Sequence, residues 1–94
     1  MHILRIEHSI SDYDGWKKAF DSDPVGREKS GVRRYRILRP VDDGKYIMID
    51  LEFDTEHQAE ALLAAIRMVW GRVQGTIMTE PRARIVEVLE TKAY

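Results

Sequence analysis

The sequence predicts an α+β fold in which four strands and two principal helices follow as strand, helix, strand, strand, helix, strand, the split βαβ or ferredoxin-like arrangement. Three observations predict it. Residues 46–53 alternate strictly, with Ile47, Ile49, Leu51 and Phe53 against Tyr46, Met48, Asp50 and Glu52, the period of a strand with one dry face. Residues 2–10 alternate in the same way, with Leu4, Ile6, His8 and Ile10 against Ile3, Arg5, Glu7 and Ser9. Between residues 59 and 73, Ala59, Leu62, Leu63, Ile66, Val69 or Trp70, and Val73 form a continuous apolar stripe at helical spacing.

The elements follow in order. His2 to Ile10 is the first strand. Ser11, followed three residues later by Asp14, is a variant of the capping box, and Tyr13, Trp16, Ala19 and Phe20 then recur at helical spacing, predicting a short helix with an aromatic face. Asp23-Pro24 offers a fresh N-cap with proline at the first helical position, and Gly31 suits the residue just past a helix end, so a second short helical segment is predicted over Pro24 to Ser30. Val32 to Arg39 reads as a strand placing Tyr35, Ile37, Arg33 and Arg39 on one face and Val32, Arg34, Arg36 and Leu38 on the other. Pro40 to Gly44 has turn composition and joins it in a hairpin to the strand over Tyr46 to Phe53. Asp54 or Thr55 caps the long helix. Thr76 to Pro81 reads as a loop, and Arg82 to Glu90 as the last strand.

Each strand-helix-strand half has the length a right-handed parallel crossover needs, which puts both helices on one face of a four-stranded antiparallel sheet. The other face is left bare, carrying Ile3, Val32, Leu38, Met48 and Tyr46 among its charges. A second copy of the chain would cover it, so a homodimer through the helix-free sheet face is expected.

Composition narrows the function classes. The 94 residues are 44% hydrophobic and 33% charged with a net charge of -1, so the expectation is one folded domain over residues 1–94, with neither the composition of disorder nor that of a basic nucleic-acid-binding protein. Cysteine is absent, which excludes disulfides, thiolate metal sites and cysteine nucleophiles and points to the cytoplasm. Met1-His2-Ile3-Leu4-Arg5 reaches a charge before any apolar run of signal-peptide length, and no stretch approaches the ~20 apolar residues of a membrane span. No membrane partner is expected.

The blocks Tyr13-Asp14-Gly15-Trp16-Lys17, Ala19-Phe20-Asp21-Ser22-Asp23-Pro24, Gly31-Val32-Arg33-Arg34-Tyr35-Arg36, Val41-Asp42-Asp43, Leu51-Glu52-Phe53-Asp54 and Ala83-Arg84-Ile85 resemble small bacterial proteins of the dimeric α+β barrel superfamily, which includes the antibiotic-biosynthesis monooxygenase-like proteins. The resemblance covers essentially the whole chain. It implies subunits that place their sheets face to face, and a small-molecule-binding protein or a cofactor-independent monooxygenase- or cyclase-like enzyme acting on a phenolic or enolisable apolar substrate. A non-catalytic dimeric ligand-binding or structural module is the alternative. No cofactor is expected. Haem-degrading relatives use an asparagine, a tryptophan and a helix-borne histidine, whereas this chain has no asparagine and its only histidine in the long helix, His57, falls in the first turn.

His8 is the candidate catalytic residue, because it stands among Leu4, Ile6 and Ile10 on the face toward the helices, where burial shifts a pKa and a positioned base moves protons. The rival reading is a core histidine with its nitrogens satisfied by the backbone or a Tyr hydroxyl. Tyr13, Trp16 and Tyr35 are the candidate binding residues for a flat apolar or aromatic ligand. Tyr13 or Arg33 would stabilise developing negative charge. Phe20 and Trp70 read as core packing.

No metal site is expected, since His2 and His8 share a strand face about 20 Å apart and no zinc or calcium spacing is present. From Arg27 to Arg39 six basic residues stand against one acid, Glu28. Edge protection and a charge network with Arg5, Glu7, Asp50 and Glu52 explain that run better than nucleic acid does. A carboxylate-binding site at Arg27 or Arg33 is its sharper alternative.

Overall fold

The computed structural model describes residues 1–73 and 78–94. Its elements are β1 (His2–Ile10), α1 (Tyr13–Asp21), β2 (Arg34–Leu38), β3 (Tyr46–Phe53), α2 (Glu56–Val73) and β4 (Met78–Glu87). The strands form one four-stranded sheet in the order β2-β3-β1-β4, and each neighbouring pair is antiparallel. β3 separates β1 from β2, so the crossover through α1 returns the chain one position away from its starting strand. This is the ferredoxin-like α+β fold.

Register explains the core. Leu4 lies opposite Leu51 and Ile85, Ile6 opposite Ile49 and Ala83, and His8 opposite Ile47. Those residues share the face on which Ala59, Leu62 and Leu63 of α2 and Trp16 of α1 close the apolar cluster. The alternation of residues 2–10 and 46–53 therefore maps directly onto a helix-covered face and a free face.

Several boundaries depart from expectation. Asp12, not Ser11, is the N-cap of α1: its carboxylate accepts the Gly15 N–H at 2.8 Å. Thr55 opens α2 through a reciprocal pair, with the Gln58 N–H donating to Thr55 Oγ1 and the Thr55 N–H to Gln58 Oε1. No helix forms over 24–30. Asp23 and Gly26 both adopt positive φ, 50° and 65°, and the segment is a string of turns held by bonds such as Ser30 N–H to Gly26 C=O. β2 starts only at Arg34, so Val32 packs against the core instead of lying on the free face.

β4 begins at Met78, within the predicted loop, and ends at Glu87 rather than Glu90. Gly75 and positions 76 and 77 of that loop lie outside the described residues. The start was hidden by Pro81. Glu7 pairs with Arg82 and Ser9 with Thr79, so two residues of β4, 80 and 81, oppose His8 alone. That is a β-bulge, one of the few places in a sheet where a residue without an N–H is tolerated.

Gly31 shows how the loop before β2 is held. Its φ is +100°, and a Cβ there would stand 2.7 Å from Nε2 of Gln58, the residue that caps α2. Gly31→Ala is expected to cost about 1–3 kcal/mol in urea denaturation. Gly26→Ala, with positive φ but open space around it, should cost about 1 kcal/mol. Equal losses at the two positions would remove Gln58 from the explanation.

The free face carries charge in rows. Asp50 and Glu52 are each 3% exposed although no helix covers them. Arginines do: Arg5 donates to both oxygens of Asp50 at 2.8 and 2.9 Å, Arg36 comes within 3.7 Å of the same carboxylate, and Arg34 donates to Glu52 at 2.6 Å. The network expected from the basic run is present at Asp50 and Glu52, whereas Glu7 accepts from the Tyr46 hydroxyl at 2.6 Å instead of from an arginine. With Arg33 on Asp54 and Arg27 beside Asp23, most of that run is neutralised locally.

Candidate functional site

A cavity of about 120 Å³ lies between the helices and the sheet, lined by Ile6 and His8 of β1, Trp16, Ala19 and Phe20 of α1, Ile49 and Leu51 of β3, and Ile66, Val69 and Trp70 of α2, with Asp23 to Val25 and Arg27 at its edge. Each wall follows from the register already described. β1 and β3 present their dry faces, α1 contributes residues four apart, and α2 contributes the far end of its stripe.

His8 is 2% exposed. Its Nδ1 is 3.1 Å from the carbonyl of Ser9, and because a carbonyl only accepts, Nδ1 carries the hydrogen. The basic nitrogen is then Nε2, which has no hydrogen-bond partner among the described residues. Burial holds the His8 pKa below its usual 6.5, outweighing the opposing bond to Ser9. The result is a neutral imidazole in an apolar chamber. The register shift between Glu7 and Ser9 falls at this residue.

An aromatic ladder leads away from His8. Trp16 lies 6.1 Å from the imidazole, Phe20 stacks 5.1 Å from Trp16, and Tyr35 meets Phe20 edge-on at 5.0 Å. Tyr13 packs on Trp16 at 5.9 Å. Of the predicted site residues, the structure thus brings His8 and Trp16 to the cavity wall. Tyr13 stands behind Trp16, while Tyr35 and Arg33 line a separate surface groove with Asp23, Arg27, Gly31, Arg34, Asp54 and Gln58. Arg33 is held there by Asp54, which accepts from its Nε and Nη2 at 2.9 and 2.6 Å. The ion pair keeps the Asp54 carboxyl below its ordinary value.

Phe20 and Trp70, read from the sequence as packing, both line the cavity. Asp23 and Arg27 edge it and the groove alike. What placed them there is the left-handed turn at Asp23, which no spacing rule reveals. As for metals, no group of three or more His, Asp or Glu side chains among the described residues is placed to hold an ion. His57 is exposed in the first turn of α2. No helix among the described residues is long and apolar enough to cross a membrane.

No protein-family model and no curated protein matches the chain. Solved structures do. SnoaB, a cofactor-independent oxygenase from Streptomyces nogalater, superposes with a TM-score of 0.74 at 11% identity, over 96% of this chain and 94% of that one. A Deinococcus radiodurans protein provisionally named an antibiotic-biosynthesis monooxygenase gives 0.75 at 14% identity, over 100% and 98%. This chain has the ferredoxin-like α+β fold of these proteins. A dimeric ferredoxin-like protein from an uncultured marine organism shares that fold with a TM-score of 0.68 at 12% identity, over 97% of each chain. Within this fold, the cavity lies between the helices and the sheet, on the side opposite the arginine-covered face.

Proposed function

We propose that this protein is a cofactor-independent, monooxygenase-like enzyme that binds a phenolic or enolisable, largely apolar substrate in the cavity beside His8. The observation that carries the reading is the imidazole itself: a buried, neutral base on the wall of an apolar chamber, with Nδ1 committed to the backbone and Nε2 without a hydrogen-bond partner among the described residues. In that role Nε2 takes the acidic proton of the substrate, and Trp16 bears on its ring. The electron-rich anion then reacts with dioxygen. A methylene beside the enol becomes a carbonyl, one oxygen atom entering the product and the other leaving as water with the two hydrogens removed. The likeness in fold to SnoaB supports the choice of chemistry.

The test is oxygen uptake with single-ring quinol and enolisable aromatic substrates. Uptake with stoichiometric product is the expected result. Saturable ligand binding without uptake would leave a non-catalytic binding module instead.

We further infer that the working unit is a homodimer closed over the helix-free face. Ile3, Met48, Tyr46 and the exposed Leu38 lie there among the arginine-covered carboxylates, and the marine protein of the same fold is dimeric. Sedimentation at micromolar concentration is expected to give twice the 11.0 kDa chain mass. A monomer would contradict the assignment.

A further inference from the structure

Arg27 stands where the cavity and the surface groove meet, since it edges both. Its guanidinium carbon lies over Phe20, 3.8 Å from the ring centroid, and 5.2 Å from that of Tyr35. The side chain is only 16% exposed, so the cation is held in one place. Its hydrogen bonding is nevertheless far from complete. Nη1 donates to the Phe20 carbonyl at 2.9 Å, and among the described residues no other acceptor is hydrogen-bonded to the guanidinium, which has five N–H donors.

Asp23 does not fill that gap. Its two carboxylate oxygens accept the backbone N–H of Arg27 at 3.0 and 3.2 Å, while its approach to the Arg27 Nε is 3.5 Å, charge proximity without a hydrogen bond. The turn thus presents a guanidinium with its donors open and the Asp23 carboxylate nearby, while Glu28 and Asp54 line the groove on its outer side. Arg33, by contrast, has Asp54 on two of its donors.

We propose that Arg27 is a specificity residue and that the cavity takes an aromatic acid, its ring against His8, Trp16 and Trp70 and its carboxylate on the guanidinium of Arg27. The volume suits one ring: a cavity of about 120 Å³ is comparable to the ~150 Å³ apolar cavity that holds a benzene. The planar fork of arginine matches a carboxylate. The nearby Asp23 charge favours a monoanion over a dianionic phosphate, which it would repel. This inference rests on the cavity being a ligand site, and it makes no use of turnover.

Both tryptophans of the chain line the cavity, so intrinsic fluorescence reads its occupancy. The experiment titrates 3-phenylpropionate and the neutral 3-phenylpropanol into the wild type, Arg27→Met and, as a control for removing any surface cation, Arg39→Met. The acid is expected to bind the wild type about tenfold or more tightly than the alcohol. Arg27→Met should lose that preference while its affinity for the alcohol holds, and Arg39→Met should retain it. Equal binding of acid and alcohol by the wild type overturns the proposal while leaving the cavity as a ligand site. Binding of neither overturns both. A preference that survives in Arg27→Met overturns the role of Arg27. If that variant does not fold, the wild-type ratio together with the same ratio in Arg27→Lys decides: a ratio near one in the wild type, or one unchanged by Arg27→Lys, counts against a planar fork at this position.

Discussion

His8→Gln is expected to fold, to keep its affinity for aromatic ligands, and to turn substrate over about 10²- to 10⁴-fold more slowly than the wild type. Glutamine retains a donor for the Ser9 carbonyl and fills similar space, but it has no basic nitrogen to aim into the cavity. Activity of the wild type should rise with pH along a limb below 6.5, because burial holds the imidazole pKa under that value. Stability follows with a definite sign. As pH falls below about 6.5 the unfolded chain protonates its histidine while the folded one does not, so stability drops toward acid with a slope of up to about 1.4 kcal/mol per pH unit, and levels off below the folded-state pKa. His8→Gln removes this increment. Urea midpoints at pH 7.5 and 5.5, compared between wild type and variant, measure it, and the shared contribution of groups such as Asp54 cancels in the comparison. Unchanged turnover in the variant would reduce His8 to a core residue.

Phe53→Ala should remove about 3–5 kcal/mol of stability. Phe53 is fully buried, the largest side chain with no exposure, and it stands at the end of β3 opposite His2, inside the cluster formed with Leu4, Leu51 and Leu62. Total stabilities of domains this size run to about 5–15 kcal/mol, so at least about a fifth of the reserve is at stake. Thermal and urea unfolding report the loss. A change under about 1 kcal/mol would mean that the cluster closes over the space, and that the core is looser than its burial implies.

How legible these features were depends on whether they obey a period. Tyr46–Phe53 was read with both ends in place because one face of β3 is uniformly apolar, and the stripe of α2 was plain for the same reason. The choice of Asp12 over Ser11 as N-cap was not legible, since either side chain can cap and only the position of the Gly15 N–H decides. The segment 24–30 misled because proline and glycine mark a helix and a string of turns alike, and the left-handed backbone at Asp23 and Gly26 separates the two. His8 was singled out by its polar character on a dry face, a local signal. Arg27 was distinguishable from Arg33 only once the chain had turned at Asp23 and carried one arginine to the cavity and left the other on Asp54. Tyr35 looked like a ring for the ligand, but its place on an edge strand set it on the outer side of Phe20.

The bulge opposite His8 has a consequence for chain length. From Arg82 to Glu87, β4 is registered against β1 independently of what precedes it, because the two-for-one step at residues 80 and 81 absorbs the mismatch. Removing Pro81 would let the ladder run uninterrupted and give His8 an ordinary cross-strand neighbour, without disturbing the pairing of Ile85 with Leu4. A one-residue length polymorphism at this point would therefore act on the imidazole and leave the core alone, so that insertion and deletion, more than substitution, are the changes through which this site is most cheaply retuned.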